Sequence, residues 1–132
     1  MDILERLTAI EDIKNLMARR TRCVDEKDWE VLTACFAEDA ISYSVQADGI
    51  QGAANIEARI RDALTHRTTV HQIHAPEIEI LSDEDATGIW PLQDDLTWDD
   101  DDKRYWQRGY GQYRQTYSRV SGYPLHTSDP KM

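Results

Sequence analysis

Residues 85–98 read Asp85-Ala-Thr-Gly-Ile-Trp90-Pro-Leu-Gln-Asp94-Asp-Leu-Thr-Trp98. Side chains alternate along an extended chain, so Gly88, Trp90, Leu92, Asp94, Leu96 and Trp98 share one face. Apart from Asp94, that face is apolar. The same period-two pattern begins near Thr68 and returns beyond residue 104. Strands are therefore expected over 68–81, 85–98 and 104–120. The run Asp99–Asp102 between the last two reads as a solvated hairpin turn; it lacks the glycine and the ligand spacing of a calcium loop.

Upstream the period changes. Ile3, Leu7, Ile10, Ile13, Met17 and Val24 form a three-four ladder, which predicts an amphipathic helix over about 2–25 with Asp2 as its cap. Asp28 caps a second, short helix carrying Trp29, Leu32 and Phe36. Ile41, Tyr43 and Val45 alternate with Ser42 and Ser44, so a strand follows with Tyr43 expected on its inner face. Asp48-Gly49 marks a turn. A third helix runs from Gly52 through Ile56, Ile60 and Leu64. Helices first and strands afterwards predict an α+β architecture: three N-terminal helices on a curved, mostly antiparallel sheet, with a pocket between them.

The 132 residues fit one domain, 1–132, with room for a genuine core. No apolar run reaches the roughly 20 residues of a membrane span. The opening Met1–Arg6 lacks the pattern of a secretory signal. Cys23 and Cys35 have no pairing logic, which points to reduced thiols and a cytoplasmic setting. Fifteen basic residues against 25 acidic ones give a net charge of −10. That field repels polyanions, so nucleic acid and anionic membrane are poor partners.

Functional candidates are polar groups that the pattern directs toward the core, where an uncompensated charge costs several kcal/mol. Arg20 falls on the apolar stripe of the first helix; it either snorkels past the helix end or points into the pocket. Asp25 ends that helix, where the helix dipole disfavours an acid. It is either a turn residue or a carboxylate that orients an imidazole. His71 and His74 point to opposite faces of a strand, which argues against a two-histidine metal site. His71 shares a face with Ile73, suiting an inward position. Asp94 sits between Leu92 and Leu96, whereas Asp95 faces solvent. Tyr43 is either a core aromatic or a hydroxyl donor. Together Arg20, Asp25, Tyr43, His71 and Asp94 come from segments expected to face one cavity. A histidine beside a carboxylate is a general base; a tyrosine or neutral acid can serve a developing oxyanion. No serine-hydrolase elbow, phosphate loop or dinucleotide fingerprint is present.

The segments Arg20-Thr-Arg-Cys-Val-Asp25, Trp29-Glu-Val-Leu32 and Phe36-Ala-Glu-Asp39-Ala resemble the opening of SnoaL-like proteins of the nuclear-transport-factor-2-like fold. His71-Gln-Ile-His74-Ala-Pro-Glu-Ile78, Ala86–Asp94, Gly109-Tyr-Gly111-Gln-Tyr113 and Arg119-Val-Ser-Gly122 continue the resemblance across about 5–122. It implies a cone-shaped α+β barrel. Within the family the chain is most similar to a dehydratase-like branch that includes scytalone dehydratase, bile-acid 7α-dehydratase and hexachlorocyclohexane dehydrochlorinase. These are cofactor-free lyases with a His–Asp dyad. The resemblance matches Asp25 and His71 to the dyad, Tyr43 to a first-strand tyrosine and Asp94 to an acid of the pocket. Arg20 stands where relatives carry tyrosine or lysine. The polar ending 121–132 departs from the family's apolar last strand, which is expected to be short or missing.

The resemblance thus implies elimination of water or a similar leaving group from a small cyclic apolar molecule, with no cofactor and no metal. An isomerase or cyclase using the same dyad, and a non-catalytic binding or assembly subunit, remain alternatives. A homo-oligomer, trimer or dimer, is expected.

Overall fold

The computed structural model describes residues 1–44, 46–119 and the backbone of 125–128. Among the described residues, three helices, α1 (Ile3–Glu26), α2 (Trp29–Ala34) and α3 (Ala53–Leu64), accompany seven strands. The strands are β1 (Ile41–Ser42), β2 (Ile50–Gln51), β3 (Thr68–Ile73), β4 (Glu77–Ile80), β5 (Asp85–Asp100), β6 (Lys103–Arg119) and β7 (Leu125–Ser128). β1 and β2 form a small hairpin. The main sheet is antiparallel with order β3-β5-β6-β7, and β4 also pairs with β5.

Both expected caps form. Asp2 accepts from the Glu5 N–H at 2.8 Å while Glu5 reaches back to the Asp2 N–H, a reciprocal capping box. Asp28 accepts from the Val31 N–H and starts α2. Between them Lys27 adopts the left-handed conformation (φ 58°) and closes α1 onto the carbonyls of Cys23 and Val24. The Lys27 ammonium then donates to the Arg67 carbonyl at 2.7 Å, tying the end of α1 to the start of β3.

Three sequence expectations need correction. The strand expected over 68–81 is two strands. From Ile73↔Leu92 to Glu77↔Ile89 the outer chain advances four residues while β5 advances three, so one extra residue bulges at 74–76. The bulge moves the inner face from odd to even positions. Ile78 and Ile80 pack against the core while Glu77 and Glu79 stay exposed. Pro91 of β5 fits here. Its carbonyl accepts from the His74 N–H at 2.9 Å, so its missing N–H faces the bulge, where no ladder bond is needed.

The ladder of α1 is also buried later than expected. Ile3 and Leu7 are 76% and 53% exposed, and burial starts at Ala9 and Ile13. Periodicity marks the stripe but not where the packing partner ends. Finally, the first-strand segment is inverted. Ser42 is buried, whereas the Tyr43 ring lies against Gly49 across the turn. Val45 lies outside the described residues. So do 120–124 and 129–132, which include most of the expected polar tail; in the ending, β7 pairs with Thr116–Arg119.

The core has two parts. Ile13, Leu16, Met17 and Cys35 pack on Ala86, Trp90 and Tyr117 of the sheet. Cys23, Val24, Leu32, Phe36 and Ile56 join the three helices. Cys23 and Cys35 are free and buried, and burial pushes both thiols up from their ordinary value. Both are expected to alkylate with iodoacetamide at neutral pH only upon unfolding, which mass spectrometry of native and urea-treated protein would show. Among the described residues no helix is long and apolar enough to cross a membrane.

Asp12 on α1 carries a pH-dependent contribution. Burial raises its carboxyl above 3.8; the Arg119 charge opposes this and Glu11 adds to it. A raised folded value means the favourable term is complete below the unfolded pKa and is lost as pH rises through the folded one. Asp12→Asn is therefore expected to raise the Tm at pH 7 and leave it unchanged near pH 3. Thermal melts at the two pH values test this; equal effects at both would contradict it.

Candidate active site

A cavity of about 230 Å³ lies between the helices and the sheet. Arg20, Thr21 and Val24 line it from α1, and Ile56, Arg59, Ile60, Ala63 and Leu64 from α3. Ser42, Ser44 and Ile50 close the hairpin side. His71, Asp94, Leu96 and Tyr113 form the sheet side. The wall is largely apolar with a few converging polar groups, the usual composition of a small-molecule site.

Asp25 is held at the end of α1 by donors from β3. Its carboxylate accepts from Thr69 Oγ1 at 2.9 Å, the His71 N–H at 2.9 Å and His71 Nδ1 at 2.7 Å. Three donors, each worth about 1.5–3 kcal/mol to a charged acceptor, outweigh the roughly 0.3–1 kcal/mol penalty of an acid at a helix C-terminus. Because an ionised carboxylate only accepts, Nδ1 carries the proton, which leaves Nε2 of the neutral ring with its lone pair. The ring is 11% exposed. Nε2 faces the Asp94 carboxylate at 3.9 Å, beyond hydrogen-bond length. Register explains the meeting: His71 and Asp94 are directly opposed on β3 and β5 and so share a face.

Arg20 is buried on α1, with its guanidinium carbon 4.8 Å from the Phe36 ring centre and 5.2 Å from that of Tyr113. Two aromatic faces favour a cation at this position. Beyond Leu96, Trp98 stacks on Tyr105 at 5.7 Å, and the Arg67 guanidinium lies over Trp98. Asp95, on the opposite face, pairs with its cross-strand neighbour Arg108 at 2.7 Å.

Of the five expected residues, the fold brings Asp25, His71 and Asp94 into one cluster and places Arg20 on the same cavity. Tyr43 is a correction. Its ring packs against Gly49 and is not part of the cavity lining, where the buried Ser42 and the more exposed Ser44 stand instead. Sequence reasoning missed Thr69, although it lies two residues before His71 on the same strand face. It also missed Ser42 and Ser44, for which apolar alternation gave the opposite signal. Among the described residues no three His, Cys, Asp or Glu side chains gather as a metal set.

The SnoaL-like domain family matches residues 5–123. The chain belongs to this family. Its fold is similar to that of a Novosphingobium aromaticivorans protein provisionally named a scytalone dehydratase. The two share 21% identity over 95% of this chain and 81% of the other, with a TM-score of 0.80. It is also similar to a type 2 hexachlorocyclohexane dehydrochlorinase (18% identity, 96% and 85% coverage, TM-score 0.82). A third similar structure is ActVI-ORFA from Streptomyces coelicolor (14% identity, 93% and 98% coverage, TM-score 0.72). At such identities these likenesses establish the cone-shaped α+β fold of the SnoaL-like family and leave the reaction to be argued from the site.

Proposed function

We propose that this SnoaL-like protein is a cofactor-independent, dehydratase-like lyase acting on a small cyclic, largely apolar molecule. The observation that carries the reading is the 2.7 Å contact of His71 Nδ1 with Asp25 beside an apolar cavity. Asp25 fixes the tautomer and balances the imidazolium that forms; His71 Nε2 removes a proton from a carbon acidified by a neighbouring carbonyl. Asp94, a carboxylate that only accepts hydrogen bonds, orients a substrate hydroxyl, and the His71 imidazolium returns its proton to the departing hydroxyl so that it leaves as water. Arg20 favours negative charge developing on the leaving group. With Tyr43 directed away, no role is assigned to its hydroxyl. The acidic charge and free thiols suit a soluble cytoplasmic enzyme, and a dimer or trimer is the assembly that the family resemblance implies.

Proton abstraction is testable before the leaving group is known. Cyclic hydroxy-ketones and phenolic substrates are incubated with the protein in heavy water. Deuterium at the acidic carbon, together with formation of an unsaturated product, supports the lyase. Exchange and rearrangement without loss of a group would identify an isomerase or cyclase. Binding with neither exchange nor product would reduce the protein to a carrier of small molecules.

A further inference from the structure

We propose that Gly109 is a positioning residue that keeps the base of this site open. The inference rests on reading His71 as that base. His71, Asp94 and Gly109 stand in one row across three strands, because His71 pairs with Asp94 on β5 and Asp94 pairs with Gly109 on β6. Directly opposed residues share a face, so a side chain at 109 would rise beside Asp94 on the cavity side. That space is already taken. A Cβ built on Gly109 collides with Asp94 Oδ1 and comes within 3.3 Å of its Cγ. The Asp94 carboxylate therefore rests with Oδ1 over the bare glycine of β6, which leaves Oδ2 as the oxygen facing His71.

This placement sets the 3.9 Å gap between Asp94 Oδ2 and His71 Nε2. At hydrogen-bond length the two could pair only if Nε2 carried a proton, since a carboxylate has none to offer. The ring would then bridge two carboxylates as an imidazolium with no lone pair for substrate. Leu92 and Leu96 flank Asp94 along its own strand face, so a carboxylate displaced from β6 has its attractive direction toward His71. Gly111, opposite Leu92, makes a useful contrast. A Cβ there meets only Leu92 Cδ2 at an ordinary 3.9 Å.

The test needs no substrate. Diethyl pyrocarbonate acylates an imidazole nitrogen that carries a free lone pair, and peptide mapping separates His71 from the exposed His74 in one sample. Gly109→Ala is expected to slow modification of His71 at pH 7 by about tenfold, the factor conferred by one hydrogen bond to a charged partner. His74 serves as the internal reference. Adding Asp94→Ala to that variant is expected to restore the rate, and Gly111→Ala to leave it unchanged. An unaltered or faster His71 rate in Gly109→Ala overturns the proposal, as does a slow rate that Asp94→Ala fails to restore. If Gly109→Ala does not fold, the double variant decides. Folding of the double variant places the conflict at Asp94, whereas failure of both assigns the glycine a purely backbone role. Absence of turnover with every substrate, alongside the expected modification rates, would sink the lyase reading and leave the spacing role of Gly109 intact.

Discussion

Replacing His71 with glutamine is expected to lower proton abstraction, measured as deuterium exchange or elimination, by about 10²–10⁴-fold, the usual contribution of a positioned general base. Glutamine keeps much of the side-chain volume and a donor for Asp25, so the melting temperature should shift little by comparison. Asp25→Asn is expected to cause a loss of similar order for a different reason. An amide nitrogen in place of Oδ1 would donate to Nδ1 and force the proton onto Nε2, the wrong tautomer for a base facing the cavity. Thr69 Oγ1 and the His71 N–H, which now donate to the two carboxylate oxygens, would have to share the single amide carbonyl. Either variant retaining near-full rate would remove the dyad from the mechanism. Because residues acting as a unit are non-additive, the double variant should be little worse than the singles.

The second large effect is on stability. Trp90 is buried where α1 meets the sheet, its indole N–H donating to Tyr117 Oη at 2.9 Å, and Tyr117 in turn donates to Gln115 Oε1 at 2.8 Å. All three side chains are buried. Gly88 lies against this group, and a Cβ there would approach the Tyr117 ring at 3.0 Å. Trp90→Ala is expected to cost about 3–5 kcal/mol through lost packing and a cavity, a large share of the roughly 5–15 kcal/mol of a typical domain. Trp90→Phe keeps most of the ring and removes the donor, costing about 1–3 kcal/mol. Urea unfolding followed by circular dichroism measures both. Trp106, 70% exposed on the outer face, provides the control, with Trp106→Ala staying within about 0.5 kcal/mol. Equal effects at Trp90 and Trp106 would show that Trp90 is not part of the core.

Much of this was legible in the chain. Asp2 and Asp28 announce helix starts because their short carboxylates satisfy free N–H groups nearby in sequence, a wholly local interaction. Asp94 stands out as an acid on an apolar strand face, and His71 shares its parity with Ile73. Tyr43 misled because alternation tells that two faces differ but not which one turns inward. In a two-residue strand that choice belongs to the packing of the hairpin against α3 and Gly49. The face change at residues 74–76 was equally hidden. Pro76 signals a break, yet the extra residue becomes visible only when both β3 and β4 are counted against β5.

The local code of caps, periods and turns determined the elements, their order and the residue types available for chemistry, because these depend on neighbours within a few positions. Tertiary structure decided where α1 stops being buried, which hairpin residues see the cavity, and that Asp25 and His71, 46 positions apart, meet at 2.7 Å. It also decided that Asp94 rests over Gly109. Those outcomes depend on strand register and on the space left by opposing side chains, and such distances are fixed only when distant segments pack together.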